Sequence, residues 1–125
     1  MRKQYHFRPS KNGFYAWDVD CLIELTKNLD IQEVQIDSIQ ELDEDFWFSN
    51  DNITPTCRVI AEHAKLINEA ELKYPIILSS NGRVMDGMHR ISKATMLGSK
   101  IILAVKFLED PIPNYTDVYP DDLPY

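Results

Sequence analysis

Residues 75–98, PIILSSNGRVMDGMHRISKATMLG, constrain this chain more than any other stretch. The pattern reads as strand, tight turn, strand and helix. Ile76, Ile77 and Leu78 form a short apolar run suited to a buried strand. Asn81-Gly82 is the dipeptide preferred in a two-residue type I′ hairpin, where both central residues need positive φ. Val84 and Met85 return the chain, and Asp86 stands where a side chain caps the free N–H groups of the next helix. Gly98 stands where that helix needs a left-handed residue to end.

A helix entered through Asp86-Gly87-Met88-His89-Arg90 presents a small residue, an imidazole and a guanidinium at its mouth. Unpaired N–H groups and the helix dipole favour an anion there. Gly87 allows close approach of a ligand oxygen, and the N–H groups of Met88 and His89 point toward a phosphate. Arg90 offers a two-pronged donor, and His89 one whose charge depends on pH. Asp86 has two readings, a helix cap or a carboxylate that binds Mg²⁺ or accepts a proton. The alternative for the whole motif is a capped helix with Arg90 in a surface ion pair.

The rest of the chain supplies the frame. Residues 1–14 mix basic and aromatic side chains, and Pro9, Asn12 and Gly13 interrupt regular structure, so an arm with rings packed on the domain is expected. Residues 18–29 place Val19, Leu22, Ile23, Leu25 and Leu29 at helical spacing behind an Asp18 cap. Val34 and Ile36 alternate as in a short strand. After a turn comes a charge run beside Phe46-Trp47-Phe48, from which Glu41, ahead of Asp43, is a candidate to bring a carboxylate to a metal–nucleotide site. Thr54-Pro55 reads as a helix start running to about Ala70. Thr56 and His63 fall on its apolar face with Val59, Leu66 and Ile67, which makes them candidate pocket residues, although a histidine there is also a common core residue. Residues 100–107 read as a strand buried on both faces. Residues 109–125 hold four of the seven prolines and five acidic residues with no base, an extended tail that docks on the domain or stays mobile.

Composition narrows the function classes. The 125 residues, 44% hydrophobic, suit one modest core. A charge of −7, from 20 acidic and 13 basic residues, disfavours nonspecific DNA binding. No apolar run reaches membrane-spanning length and the start lacks a signal-peptide middle, so a cytoplasmic protein with no membrane partner is expected. Cys21 and Cys57 have no metal-ligand spacing and are expected to be reduced and partly buried.

Residues 34–107 resemble the ParB/sulfiredoxin superfamily through an opening strand, a helix, a "PI-hydrophobic" strand, "G-x-x-hydrophobic-D-G-x-H-R" and a closing "A…G…I…V"; residues 74–98 are the most specific part. Trp17, the EHAKLI helix and the closing DDLPY are similar to small stand-alone ParB-like bacterial proteins. The resemblance implies an α+β fold, a small mixed sheet carrying the 55–70 and 87–98 helices. It also implies a nucleotide, ATP or another NTP with Mg²⁺, gripped by Gly87, Met88, His89 and Arg90. Residues 1–33 would be an arm and helix, 34–108 the nucleotide-binding core and 109–125 a separate acidic tail.

Departures limit what carries over. Met88 stands where sulfiredoxins have their catalytic cysteine, and the chain has no room after the core for the DNA-binding helices of partition proteins. DGMHR is nearest the form found in the superfamily's free serine kinases, with Met88 in place of one histidine. The leading expectation is ATP-dependent phosphotransfer to a small hydroxyl compound, or NTP hydrolysis. Asp86, His89 and Glu41 or Asp43 would serve the chemistry, with Asp86 beside Mg²⁺. The alternatives are a nucleotide-sensing or protein-interaction module using the tail as partner surface, and a DNA-associated protein or nuclease.

Overall fold

The computed structural model describes residues 3–48 and 53–125. The chain is α+β, with two small sheets and three α-helices among the described residues. No described helix is long and apolar enough to cross a membrane.

The first sheet comes from the two ends of the chain. Strands β1 (Tyr5–Ser10) and β2 (Gly13–Asp18) form an antiparallel hairpin, and β7 (Tyr115–Val118) joins β2 on the other side. The expected irregular arm is therefore a hairpin. Pro9 is accommodated because β1 is an edge strand, and Lys11-Asn12 makes the turn, with Gly13 opening β2 instead of ending structure. The tail docks as the third strand. Trp17 donates its indole N–H to the carbonyl of Pro111 at 2.9 Å, the Tyr5 hydroxyl bonds to that of Pro124, and Leu123 is buried.

The second sheet has the order β3 (Gln32–Gln35), β6 (Ile101–Lys106), β4 (Ile76–Leu78), β5 (Val84–Asp86). β6 runs antiparallel to β3 and parallel to β4, and β4 and β5 are antiparallel, so the sheet is mixed. Both faces are covered. Ile76, Leu78, Val84, Ile102 and Ala104 pack with Ile91 and Ala94 of α3 (Met88–Met96), while Ile77, Met85, Val105 and Phe107 pack with Trp17 and Leu22. The expected two-sided burial of the last strand holds at Ile102, Ala104, Val105 and Phe107, though Ile101 is exposed.

Three boundaries differ from expectation. Asn81-Gly82 does not make a two-residue hairpin: Ser79 and Arg83 pair across a three-residue loop, and only Gly82 (φ 83°) is left-handed. Helix α1 (Val19–Leu25) has the expected Asp18 cap but stops short of residue 29. Helix α2 (Cys57–Glu69) starts at Thr56, whose hydroxyl accepts the Val59 N–H at 3.2 Å, two residues after the expected cap Thr54. It packs chiefly on α3 instead of on the sheet, and none of its residues is fully buried. Cys57 at its first turn and Cys21 on α1 are free and exposed, not partly buried.

Candidate functional site

The mouth of α3 opens into a cleft of about 730 Å³ between the two sheets. Gly87 is the helix cap, at φ 114°. The helical ladder begins with the Ile91 N–H bonding to the Gly87 carbonyl at 3.0 Å, so the N–H groups of Met88, His89 and Arg90 precede it. Gly87, Met88 and His89 line the cleft. Gly87 also answers to packing: a β-carbon there would lie 2.6 Å from Ile76 Cγ2.

Asp86 does not cap the helix. It is the last residue of β5, and its carboxylate takes a 2.7 Å hydrogen bond from Arg90, one turn along α3. Burial raises the Asp86 pKa above the ordinary value, against the opposing pull of Arg90. Arg90 is 16% exposed and donates also to the carbonyls of Tyr74 (3.0 Å) and Pro75 (2.8 Å). Its guanidinium ties the chain before β4 to α3 and does not line the cleft. The side chain expected to fork around a phosphate is thus committed to holding the motif together.

Glu41 lies in a 3-10 turn, Gln40–Asp43, that follows β3. Only 3% exposed, it accepts the Val84 N–H through Oε2 at 2.6 Å, with Arg83 Nε 3.4 Å from the same oxygen. Its other oxygen, Oε1, is sealed from solvent with no hydrogen-bond partner; among the described residues only one Arg8 nitrogen shares that condition. Glu41 lines the cleft beside the α3 mouth. Asp43, the other acidic candidate, is exposed and lines no part of it.

His89 meets His63 of α2: His63 Nδ1 and His89 Nε2 are 2.9 Å apart, a hydrogen bond whose direction follows the tautomers of the two rings. Trp47 stacks on both rings, 4.4 Å from His63 and 4.8 Å from His89. The imidazole centroids are 5.2 Å apart, too close to sit on opposite sides of the indole, so they cover one face of Trp47, and both Trp47 and His89 line the cleft. Burial lowers the His89 pKa to about 4, with His63 adding to the effect, and burial also lowers that of His63. Both rings are neutral near pH 7. His63 therefore backs the site and does not line it. Thr56 does not line it either, because its hydroxyl is spent on the α2 cap.

Sequence reasoning missed the opposite wall. Lys3, just before β1, and Tyr5, His6 and Arg8 of the first sheet line the cleft, as does Arg83 at the foot of β5. Arg8 lies 5.1 Å over the Trp17 ring and bonds to Asp110 at 3.1 Å and to His6 at 3.2 Å. Burial, followed by the charge of Arg8, lowers the His6 pKa to about 4. The alternation of basic and aromatic residues in 1–14 carried the signal, but only the hairpin turns it toward the α3 mouth. Among the described residues no cluster of three His, Cys, Asp or Glu could hold a metal ion by itself. No family model, no curated protein and no solved structure matches the chain.

Proposed function

We propose that this chain is a ParB/sulfiredoxin-type domain that binds a nucleoside triphosphate, ATP for preference, with its phosphates at the α3 mouth. Glu41 then orients a hydroxyl acceptor or water and takes its proton. The observation that carries the reading is Glu41, a buried carboxylate with one oxygen unpartnered, among the residues that line the cleft of the helix mouth. A buried acceptor without a donor costs roughly 1–3 kcal/mol. Such a cost is kept where a ligand hydroxyl or a cation completes the group.

The surroundings fit a polyphosphate. The N–H groups at the α3 mouth supply fixed partial positive charge, and Lys3, Arg8 and Arg83 line facing walls, paired with Asp18, Asp110 and Glu44, which a polyphosphate would have to displace. The volume lies within the range typical of small-molecule sites, and Tyr5, Phe7, Phe46 and Trp47 offer apolar faces for a base. Mg²⁺ usually relies on one or two carboxylates plus phosphate oxygens; Asp86 and Glu44 line the cleft, and to hold the ion they would exchange their pairs with Arg90 and Arg83. Its chemistry would be neutralisation of the phosphate charge. Catalysis by the chain itself is then mainly positioning.

Thermal unfolding against ATP, ADP, CTP and GTP with Mg²⁺ tests the reading. At about a hundred times the dissociation constant, a true ligand adds ~2.7 kcal/mol of stability, which moves the midpoint by several degrees. Glu41→Gln keeps an acceptor for Val84 and is expected to bind nucleotide normally while losing at least about a hundredfold in turnover. No shift with any nucleotide overturns the reading.

A further inference from the structure

The bond between His63 and His89 does more than dock α2 on α3. With both rings neutral each carries one proton, so only two arrangements make the 2.9 Å bond between His63 Nδ1 and His89 Nε2. In the first, His89 donates from Nε2 and His63 keeps its own proton on Nε2. In the second, His63 donates from Nδ1 and His89 keeps its proton on Nδ1. Two considerations select the first. It leaves both rings in the Nε2–H tautomer, the commoner form of a neutral histidine side chain, whereas the second needs the rarer form twice. The second also puts a proton on Nδ1, the ring nitrogen nearer the backbone, beside the N–H groups of Met88, His89 and Arg90 that precede the helical ladder. Their partial positive charge disfavours a further N–H there.

His89 Nδ1 has no hydrogen-bond partner among the described residues, yet it is not sealed from solvent, a condition confined there to one atom each of Glu41 and Arg8. It is open on the side of the cleft that His89 lines. We infer that His63 is a positioning residue. By accepting the Nε2–H of His89 it leaves Nδ1 bare, so His89 meets a ligand as a hydrogen-bond acceptor and not as the donor its place in the motif suggests. Trp47, stacked on both rings, holds them in that arrangement. The ligand oxygen at Nδ1 must then carry its own hydrogen, as in singly protonated phosphate. An oxyanion without hydrogen, such as sulfate, would set its lone pairs against that of the ring. That the oxygen belongs to the terminal phosphate of a nucleotide rests on the reading above; the direction of the His63–His89 bond does not.

Proton–nitrogen NMR correlation spectra of the imidazole rings test the inference on the full chain, which has three histidines to assign. Near neutral pH, His89 is expected to show a bare Nδ1 and a protonated Nε2. His63→Leu is expected to let His89 exchange between tautomers, so that its two nitrogens move toward a common shift. His63→Asn, whose side-chain oxygen replaces Nδ1 as acceptor, is expected to restore the parent pattern. Inorganic phosphate and sulfate are then titrated at about pH 6, where phosphate still carries hydrogen. Phosphate is expected to shift Nδ1 and to bind about fivefold or more tightly than sulfate, the scale of one hydrogen bond. That preference is expected to fall toward parity in His63→Leu. Should His63→Leu fail to fold, the parent and His63→Asn spectra still decide. A protonated His89 Nδ1 in the parent, a parent spectrum already averaged, or sulfate bound as tightly as phosphate overturns the inference. Nucleotide stabilisation with a protonated Nδ1 overturns it and leaves the nucleotide reading standing. A bare Nδ1 that answers to neither phosphate nor nucleotide supports the role of His63 and overturns the nucleotide reading.

Discussion

Gly87 and Arg90 show how one short motif serves packing and a helix mouth together. At φ 114°, with Ile76 Cγ2 2.6 Å from the place of a β-carbon, Gly87→Ala meets both backbone strain and overpacking. Left-handed geometry costs roughly 1–2 kcal/mol and overpacking a further 1–3. Urea unfolding is expected to report a loss of about 2–4 kcal/mol; a loss below 1 would mean that β4 yields easily. Arg90→Ala strips three hydrogen bonds and leaves Asp86 mostly buried without its cation, an expected loss of about 3 kcal/mol before any ligand is considered. A drop in nucleotide affinity in that variant would therefore say nothing specific about phosphate contact. The letters DGMHR were legible as a helix mouth, and Asp86–Arg90 has the i,i+4 spacing of a helix-side pair. Which partner Arg90 takes was not legible, because the Tyr74 and Pro75 carbonyls reach it only through the packing of β4 on α3. Glu41 was legible as a candidate by its place after a strand, but its orphaned oxygen depends on burial by distant residues.

At the scale of elements, local signals predicted types well and ends less well. The β4–β5 hairpin, α3 and β6 lie where apolar runs and glycines place them, since turn chemistry and periodicity act over a few residues. The α2 start was misplaced because Thr54, Pro55 and Thr56 all suit a helix entry, and only the Thr56 hydroxyl reaches the Val59 N–H. Thr56→Ala is accordingly expected to cost about 1 kcal/mol. Thr54→Ala should cost less than half of that, and chemical denaturation of the pair compares them directly. Equal losses would place the cap at Thr54. Because α2 packs chiefly on α3, a lost cap is also expected to loosen His63 beneath Trp47, readable as a change in tryptophan fluorescence before global unfolding.

The first sheet was the least legible part of the molecule, since β7 pairs with β2 across about a hundred positions and no local pattern reports such a contact. It brings His6 and Arg8 to one wall of the cleft, while His89 stands on the other and His63 behind it. The pH dependence of stability tests that arrangement as a whole. His6 and His89 have folded pKa values near 4, and that of His63 is lowered as well, all chiefly through burial. The charged groups beside them are Arg8 and Asp110 at His6 and Glu62 at His63, with each imidazole of the pair beside the other. The unfolded chain binds protons at these rings below about pH 6.5, while the folded chain resists them at His6 and His89 until about pH 4. His6, the most deeply buried, therefore withdraws stability as pH falls through that window, by up to about 1.4 kcal/mol per pH unit in the limit, and His89 and His63 withdraw less because solvent screens them. The carboxylates with lowered values, Asp18, Glu44, Asp110 and Asp117, lose their contribution only at lower pH. Acidification also neutralises part of the −7 charge, and relief of self-repulsion acts in the opposite direction. The sign of the slope thus separates the two effects. Urea midpoints measured from pH 7.5 to 4.5 are expected to fall, most steeply below pH 6, and the fall should be shallower in His89→Gln. Midpoints that hold level or rise, with His89→Gln tracing the same profile as the parent, would show that the rings titrate in the folded chain near their ordinary values.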